Sequence, residues 1–475
     1  MSSSYYPDEV HTRRPSSGTP ISPDQRSRRV KRRTGCEQCK KRRVKCDEHK
    51  PRCSRCVSRN ETCTGNFQYD KWQVERPWLA KDPQRDLFSR AGFLENELLQ
   101  YWFEHCSLIM GVVPPSQNPL SYSISPYIKR SKALRHAIQY LSCAHRLDFA
   151  QAQLAQVLEE RHKALVSLQL EIEHTQLLSN PDIHFQTIFL CSLILGISSS
   201  WIDAGTPDIG LQHLLGARQV LPLLLRSETN TDLTHYLLGL YIYWEAFTSY
   251  LLPAPLQSSP WLNPQLAVFY PMLDNLTHPV TGIATSLYPV LAEVGQYYRR
   301  LVDVGEADPA HENYLETRLQ KWKFPGPDGE ADEEEENKNA PPLAEIARAY
   351  RSAGLIMLLQ AKSVLRPLDG VEEVRLRIHI LEAMHAITRI PTNSPLLNSE
   401  GPLLIIVGSE LGAADVEYKT LVECRIQELV RYTRLGVYTR GLELVKEVWR
   451  LREEENIEIT WLELMVREGV DLTLT

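Results

Sequence analysis

The 475-residue sequence lacks any segment that predicts a membrane-spanning helix. A spanning helix needs about 20 consecutive apolar residues, whereas residues 186–202 hold an apolar stretch of about a dozen and residues 236–252 include Glu245. Residues 1–25 also lack an apolar run, so we expect no secretory signal peptide. These two absences argue against a membrane partner and against an oxidising compartment.

Catalytic signatures are missing as well. The sequence has no H-E-x-x-H, G-x-S-x-G, P-loop or G-x-G-x-x-G motif. The nearest constellation is His136, Cys143 and His145, and positions 136 and 143 would share one face of a helix. A packed helix interior explains these residues better than a Cys/His site does. We therefore predict that the protein is not an enzyme.

Cysteine is sparse outside one short segment. Four residues are scattered through apolar, helix-like segments and are predicted to be buried free thiols: Cys106, Cys143, Cys191 and Cys424. The other six fall within residues 36–63 as two copies of C-x2-C-x6-C that begin 17 residues apart: Cys36, Cys39, Cys46, Cys53, Cys56 and Cys63. Val44 and Val57 are the only aliphatic residues of this segment. A hydrophobic core therefore does not offset the entropy of ordering it.

Thiolates at this spacing are zinc ligands. A structural zinc takes four ligands, so six cysteines are too few for two separate sites and too many for one. Two zinc ions can share six sulfurs if Cys36 and Cys53 bridge both ions. One ion would then bind Cys36, Cys39, Cys46 and Cys53, and the other would bind Cys53, Cys56, Cys63 and Cys36. We expect the ions to supply most of the folding free energy here, on the order of 10 kcal/mol each.

Two other structures were weighed for the six cysteines. A disulfide cluster needs an oxidising setting, which the lack of a signal peptide disfavours. RING-like and ribbon sites use paired C-x2-C knuckles and usually a histidine, but the third cysteine of each half stands alone and His49 is off the pattern. Metal binding by all six cysteines is the favoured interpretation.

The segment from Gly35 to Cys46, followed by Lys50-Pro51-Arg52-Cys53-Ser54-Arg55-Cys56 and Cys63, resembles the fungal binuclear zinc cluster transcription factors. All six ligand positions, their gaps and the basic run match. Pro51 matches the family's loop proline, which turns the chain between the two halves. The resemblance implies a small irregular two-zinc module, made of two short helices and loops, that binds double-stranded DNA.

The charge distribution is strongly uneven. The whole chain has a net charge of −6, but residues 26–63 carry 15 Lys/Arg against 4 Asp/Glu. A basic block inside an acidic protein is the electrostatic footprint of a nucleic-acid-binding module. The residues before the cluster are predicted to form a nuclear import signal, with a solvated basic tail as the alternative: Arg28, Arg29, Lys31, Arg32 and Arg33.

The basic residues within the cluster divide into two predicted roles. The resemblance implies that a short helix enters the major groove and that Arg42 and Arg43 read the guanines of a CGG triplet. Bidentate donation from arginine to guanine is the commonest specific base contact. We expect phosphate contacts, which position the module without specifying sequence, from Lys40, Lys41, Lys45, Arg52, Arg55 and Arg59.

The chain is predicted to consist of a disordered N-terminus (1–25), a basic arm (26–35), the zinc module (36–63), a linker (64–88) and a large all-α regulatory domain (89–475). Residues 325–342 are predicted to form an acidic disordered loop, either an activation segment or, as we favour, a solvated insertion. Residues 64–100 lack sustained apolar heptads. Binding as a monomer and dimerisation through the large domain therefore both remain open.

Helical periodicity dominates the large domain. Residues 152–177 form a long amphipathic pattern, while residues 186–202 and 236–252 are apolar nearly all round and are predicted to be buried helices. Short stretches resemble the second type of fungal-specific transcription factor domain: residues 101–106, 137–145, 213–218 and 445–450, with Trp461 and Met465. This resemblance implies regulation of the DNA-binding module.

The sequence thus predicts a sequence-specific, DNA-binding regulator of RNA polymerase II promoters that acts in a nucleus. Its expected partners are DNA and the transcription machinery or coregulators, with a homodimer as a further possibility. The alternative is an interaction or scaffold protein whose zinc cluster and basic tail give non-specific DNA association.

Overall fold

The computed structural model divides into two units, residues 1–77 and 78–475. It describes residues 36–47, 53–61, 63, 96–146, 154–175, 182–201, 209–226, 232–257, 266, 269, 277–323, 342–392, 394–470 and 472–473. Several predictions lie outside these residues: the disordered N-terminus, the basic arm with its import residues, Arg52, the linker at 64–88, and the acidic loop apart from Pro342, which begins a helix.

Among the described residues of the first unit, regular structure consists of two short helices, α1 (Glu37–Lys41) and α2 (Ser54–Val57). In the second unit, the described regular structure is helical apart from one isolated bridge between His278 and Gly282. The predicted order, a small cysteine-rich module followed by a large all-α domain, is confirmed.

The N-terminal half of the helical domain contains these helices: α3 (Glu97–Tyr101), α4 (Ser107–Ile109), α5 (Ser125–Arg130), α6 (Lys132–Arg146), α7 (Leu154–Thr175), α8 (Asp182–Ile197), α9 (Leu211–Arg226) and α10 (Asp232–Thr248). A π-helical turn at Trp102–Cys106 joins α3 to α4. Short 3₁₀ turns lie at Tyr122–Ile124, Ser198–Trp201 and Ala254–Leu256. Helix α6 packs against α7, and α8 packs against α9.

Among the described residues of the C-terminal half, the helices are α11 (Tyr288–Val304), α12 (Pro309–Lys321), α13 (Pro342–Leu365), α14 (Gly370–Arg389), α15 (Gly401–Gly408), α16 (Val416–Thr433), α17 (Val437–Glu454) and α18 (Trp461–Glu468). Two 3₁₀ turns lie at Thr285–Leu287 and Pro395–Ser399. The longest of these helices, α13, packs against α14 and α11, and α11 in turn packs against α10 of the N-terminal half.

Local sequence signals set several helix ends. The Asp369 side chain caps the first turn of α14, and Glu372 bonds back to the Asp369 backbone N–H. Thr460 and Glu463 make the same reciprocal cap at the start of α18. This capping box satisfies backbone donors that the first turn leaves without partners. Gly305 ends α11 with φ of +75°, a left-handed conformation that glycine adopts at low cost.

The two segments predicted to be buried lie at the centre of the domain. Of the first segment, residues 186–201 are described and fall in α8 and the 3₁₀ turn after it, and residues 236–252 begin within α10. Helix α10 is buried along nearly its whole length. Glu245, within it, is neutralised by Arg218 of α9 at 2.5 Å. An ion pair of this kind is what makes a charged residue tolerable inside a core.

One cysteine prediction is wrong. Cys106, Cys143 and Cys191 are buried as expected, but Cys424 is exposed. In α16 the residues two positions to either side of it, Val422 and Ile426, are buried. Because a helix turns by about 100° per residue, a side chain two positions from both lies on the opposite face.

The described part of the amphipathic segment at 152–177 forms α7, but its apolar residues are only partly covered. Val157 and Leu168 are buried against the domain, whereas Leu165 and Ile172 are exposed. Helix α7 packs mainly on α6, so one side of its apolar pattern faces solvent. No helix in the described part of the chain is both long and apolar enough to cross a bilayer.

Candidate metal centre and nucleic-acid interface

The two cysteine repeats fold into two copies of one backbone motif. Cys36 and Cys53 each occupy the N-cap of their helix, with φ of −65° in both cases. Cys39 and Cys56 then lie one turn into the helix. Because residues three apart share a helix face, the C-x2-C spacing places both sulfurs of each half on the same side.

The ends of the two helices repeat as well. Arg43 and Asn60 stand at equivalent positions and both adopt left-handed conformations, with φ of +57° and +54°. The following N–H groups, of Val44 and Glu61, each donate to the carbonyl of the second cysteine of their half at 3.0 Å. The two copies of the cysteine repeat therefore share one backbone conformation.

The sulfur atoms lie at the distances that shared zinc ions require. Three Sγ–Sγ distances are 3.7 Å for Cys36–Cys53, 3.6 Å for Cys36–Cys56 and 3.7 Å for Cys39–Cys53. Zn–S bonds of about 2.3 Å in a tetrahedron give an S–S edge of about 3.8 Å. Sulfurs of these four residues all lie within 4.8 Å of one another.

Close sulfur contacts join the two halves of the module as well as cysteines of the same half. Each of the three close pairs falls inside one of the two expected four-ligand sets, and the Cys36–Cys53 pair belongs to both. Cys46 interacts with Cys39, and Cys63 interacts with Cys56, which puts each third cysteine beside its own half. The residues present therefore fit a two-zinc centre.

Burial shapes the acid–base chemistry of this centre. Burial, together with hydrogen bonds among the thiols, raises the pKa of Cys39 and of Cys53 to about 12 and that of Cys56 to about 11. Zinc binds thiolates, so metal binding must displace protons that these sulfurs would otherwise hold at neutral pH. Bound ions would replace these S–H contacts with metal–sulfur bonds that order the segment.

Basic side chains surround the buried sulfurs. Lys40, Lys41, Arg43 and Lys45 are exposed around the end of α1, and Arg55 and Arg59 are exposed on and after α2. The sulfur side of each helix is buried, so these charges face solvent. A cation-rich surface on a zinc-held scaffold is the arrangement that phosphate contact requires.

Arg42 behaves differently from its neighbours. Its guanidinium forms an ion pair with Glu61 at 2.9 Å and donates to the Cys56 Sγ at 3.4 Å. Its Nε also donates to the carbonyl of Gln38 at 3.3 Å. Arg42 is thus partly buried and linked to the other half of the module, whereas the adjacent Arg43 is exposed.

Sequence reasoning missed two acidic residues of the module. Glu61 pairs with Arg42, and Asp47 accepts a hydrogen bond from the Ser54 backbone N–H at 3.0 Å. The contact with Ser54 holds the pKa of Asp47 below its usual range. Asp47 therefore caps α2 from the loop between the halves. Its position seven residues before Ser54 matches no local capping pattern, so the sequence contains no direct signal for this contact.

The histidine and cysteine constellation of α6 is structural. His136 bonds to Glu160 at 2.8 Å. His145 Nε2 donates to the carbonyl of Thr433 and its Nδ1 accepts from the Tyr101 hydroxyl, both at 2.8 Å. Burial raises the pKa of Cys143 to about 11, which disfavours the thiolate. These contacts tie α6 to its neighbours and assemble no nucleophile.

Comparison with known proteins finds two family matches. The fungal Zn(2)-Cys(6) binuclear cluster domain matches residues 34–73. The fungal specific transcription factor domain matches residues 97–475. No curated protein and no solved structure matched the chain. The first match implies two zinc ions on the cysteines whose sulfurs lie together here, and the second covers well over half of the chain. The chain therefore belongs to the fungal specific transcription factor domain family and is a zinc-binding, DNA-binding regulator of transcription.

Proposed function

We propose that the protein recognises CGG-like triplets at RNA polymerase II promoters in the nucleus. The observation that carries this proposal is the pair of repeated helix ends, which present exposed basic residues around a buried sulfur cluster. A rigid, metal-held turn is a better base reader than a flexible basic tail because it fixes the donor geometry before binding.

The two zinc ions are proposed to share the six cysteines through Cys36 and Cys53. The ion on the first half would take Cys39 and Cys46 as its other ligands, and the ion on the second half would take Cys56 and Cys63. The three short Sγ–Sγ distances support this division. With the ions bound, the sulfurs would hold α1 and α2 at a fixed separation and leave the basic faces outward.

Arg43 is proposed to be the principal base reader. Its left-handed φ of +57° is uncommon for a residue other than glycine, asparagine or aspartate. A strained backbone conformation of this kind is usually kept at functional sites, where it holds a side chain in a particular position. The equivalent position of the second half holds Asn60, which tolerates the conformation better and carries no charge.

Arg42 is proposed to make the second base contact after exchanging Glu61 for DNA. The ion pair is partly exposed, with 24% of the Arg42 side chain and 41% of the Glu61 side chain accessible, so the exchange costs little. The contact with Cys56 keeps the guanidinium close to the cluster in the free protein. Arg42 therefore couples base recognition to the integrity of the zinc centre.

The remaining basic residues are proposed to bind phosphates and to direct import. Phosphate contacts are assigned to Lys40, Lys41, Lys45, Arg52, Arg55 and Arg59, and nuclear import to Arg28, Arg29, Lys31, Arg32 and Arg33. Exposure of the described members of the first group supports their role. Coregulators or the transcription machinery are the proposed partners of the helical domain, which regulates the module without catalysis of its own.

A protein-binding microarray with the zinc-loaded full chain tests this function. A reproducible CGG-type motif that disappears with a chelator is the expected result. Arg43→Ala should cost about 1–3 kcal/mol on the preferred site and relax its specificity. Lys45→Ala should weaken preferred and random DNA about equally, because phosphate contacts carry no sequence information.

Arg43→Asn is the matched control for backbone strain. Asparagine suits the left-handed conformation, as at Asn60, but removes the guanidinium. If Arg43→Asn binds like Arg43→Ala, the loss belongs to the side chain. Salt-sensitive binding without any sequence preference would instead favour a scaffold protein with non-specific DNA association.

A further inference from the structure

Ser58 lies at the C-terminal end of α2, between two basic side chains. It is exposed, and its hydroxyl donates only a long hydrogen bond, of 3.3 Å, to the carbonyl of Arg55. Arg55 and Arg59 are exposed on either side of it, and neither side chain forms an ion pair with another described residue. An accessible hydroxyl therefore stands between two guanidinium groups that lack an acidic partner in the described part of the chain.

The cysteine repeat gives Ser58 a counterpart in the first half of the module. Because the two copies begin 17 residues apart, Ser58 corresponds to Lys41 and Arg59 corresponds to Arg42. The first half is therefore basic at a position where the second half carries a hydroxyl. A phosphate on Ser58 would give these equivalent positions opposite charges and would change the second half alone.

We propose that Ser58 is a phosphorylation site and that a phosphate there occupies Arg55 and Arg59 and so weakens DNA binding. This inference rests on the proposed function, which assigns both arginines to DNA phosphates. The modifying enzyme is a protein kinase with an acidic substrate groove, because Arg55 lies three residues before Ser58 and Arg59 directly follows it.

The reaction needs a nucleoside triphosphate as co-reactant. The Ser58 Oγ attacks the γ-phosphorus, so that one oxygen–phosphorus bond forms while the bond from that phosphorus to the bridging oxygen breaks. The nucleoside diphosphate leaves, and a base of the kinase takes the hydroxyl proton. The phosphoserine carries a charge of about −1.5 to −2 at neutral pH and three strong acceptor oxygens.

This phosphate and the DNA backbone would compete for the same guanidinium groups. Residues three apart share a helix face, so a phosphate at position 58 reaches Arg55, and Arg59 adjoins it just beyond the end of α2. Charge-assisted hydrogen bonds between arginine and phosphate are short and often bidentate. A phosphate within the chain has a high effective concentration, whereas DNA must bind from solution.

The modification would also halve the positive charge of the zinc module. The described residues of the module include seven Lys/Arg and three Asp/Glu, which gives a net charge of +4. The phosphate would reduce this to about +2. Because DNA binding is driven by the release of counterions from phosphates, losing two arginine contacts weakens both the affinity and its salt dependence.

The other exposed serine of α2 is a poorer site. Ser54 is as accessible as Ser58, but the Asp47 carboxylate accepts a hydrogen bond from its backbone N–H at 3.0 Å. A phosphate on Ser54 would lie beside this negative charge and would be repelled by it. The sign of the neighbouring charge therefore distinguishes two serines of similar exposure.

Phosphoserine installed at position 58 during synthesis, by nonsense suppression, tests the effect on DNA directly. Fluorescence anisotropy compares the full, zinc-loaded chain with and without the phosphate, on a CGG-containing duplex and on a random duplex. The dissociation constant should rise about tenfold or more at about 0.1 M salt on both duplexes, and the salt slope should fall by about two. Unchanged binding would overturn the proposal.

Replacing both arginines separates their occupation from general repulsion. In an Arg55→Gln, Arg59→Gln background the phosphate should change the dissociation constant by less than about threefold. An equal loss with and without the arginines would overturn the competition. A chain without preference for the CGG duplex would contradict the proposed function alone, because the effect of the phosphate is also measured on random DNA.

The catalytic subunit of cyclic-AMP-dependent protein kinase, which has an acidic substrate groove, tests the modification itself. The full chain is incubated with this kinase and ATP, both zinc-loaded and after chelation, because Cys56 lies inside the recognised segment. Site-resolved mass spectrometry should find phosphate on Ser58, and Arg55→Gln should reduce it at least about fivefold. Ser58→Ala is the control, since it removes the acceptor and no assigned DNA contact. Absence of phosphate at Ser58 in both samples would overturn the assignment.

Discussion

Replacing Glu61 with glutamine should tighten DNA binding, because the change releases Arg42. In the free protein the Arg42 guanidinium is held by Glu61 at 2.9 Å. Glutamine keeps the shape of the side chain and removes its charge. The Glu61 backbone N–H, which donates to the Cys56 carbonyl at 3.0 Å, is unaffected by the substitution.

The size of the effect follows from the exposure of the pair. Two unit charges at this distance in water attract by about 1.4 kcal/mol, and measured exposed pairs contribute between about 0 and 1 kcal/mol. With 24% and 41% of the two side chains accessible, Arg42–Glu61 belongs among the exposed pairs. The dissociation constant should therefore fall by up to about five-fold at low salt, and by less as screening increases.

Fluorescence anisotropy with a labelled duplex measures this change. The necessary control is a double-mutant cycle with Arg42→Ala, because removing any acidic residue near DNA also raises affinity non-specifically. If Glu61 acts through Arg42, Glu61→Gln should lose most of its effect in the Arg42→Ala background. An equal gain in both backgrounds, or weaker binding by Glu61→Gln alone, would refute the competition between Glu61 and DNA.

Three further predictions concern stability and metal content. Arg425→Leu should lower the free energy of unfolding in urea by about 3–5 kcal/mol, because Glu400 and two backbone carbonyls lose their buried partner. Burial raises the pKa of Glu400 to about 8, so the loss of stability should be greater at pH 9, where the carboxylate is charged, than at pH 6. An equal loss at both pH values would contradict this reasoning. Hydrogen bonds from Arg366 lower the pKa of Glu372 from 4.5 to about 2, so the stability that the charged Glu372 contributes is complete above pH 4.5 and disappears as the pH falls towards 2. Glu372→Gln should therefore make the free energy of unfolding fall less steeply between pH 4.5 and pH 2. An unchanged pH dependence in this range would count against the role of the Arg366–Glu372 pair. A chelator should abolish DNA binding without changing the melting temperature of the helical domain, since the zinc module is a separate unit. Native mass spectrometry should find two zinc ions per chain, and fewer would contradict the shared-ligand arrangement.

The metal centre could be predicted from the sequence because its geometry is local. A C-x2-C spacing puts two sulfurs on one helix face wherever the helix goes, and a 17-residue repeat produces two equivalent halves. Ligand arithmetic then requires two shared sulfurs. The helical class could also be predicted, since an amphipathic pattern with a period of about 3.6 residues runs through segments such as residues 152–177.

The contacts between distant segments could not be predicted in this way. Nothing in the spacing pairs Arg42 with Glu61, which lies 19 residues further along the chain. The exposure of Cys424 depends on which face of α16 its neighbours cover. Helix α14 has apolar residues on more than one face, and only its packing on α13 decides that Val371 and Val374 are exposed.

Local composition determined the ligands, the charge and the helices of this protein, because those properties depend on neighbours along the chain. Tertiary packing decided which arginine is held by an acidic partner, which apolar face meets water and which carboxylate is buried. Those outcomes depend on how helices remote in sequence share a limited interior, where each side of a helix can be covered only once.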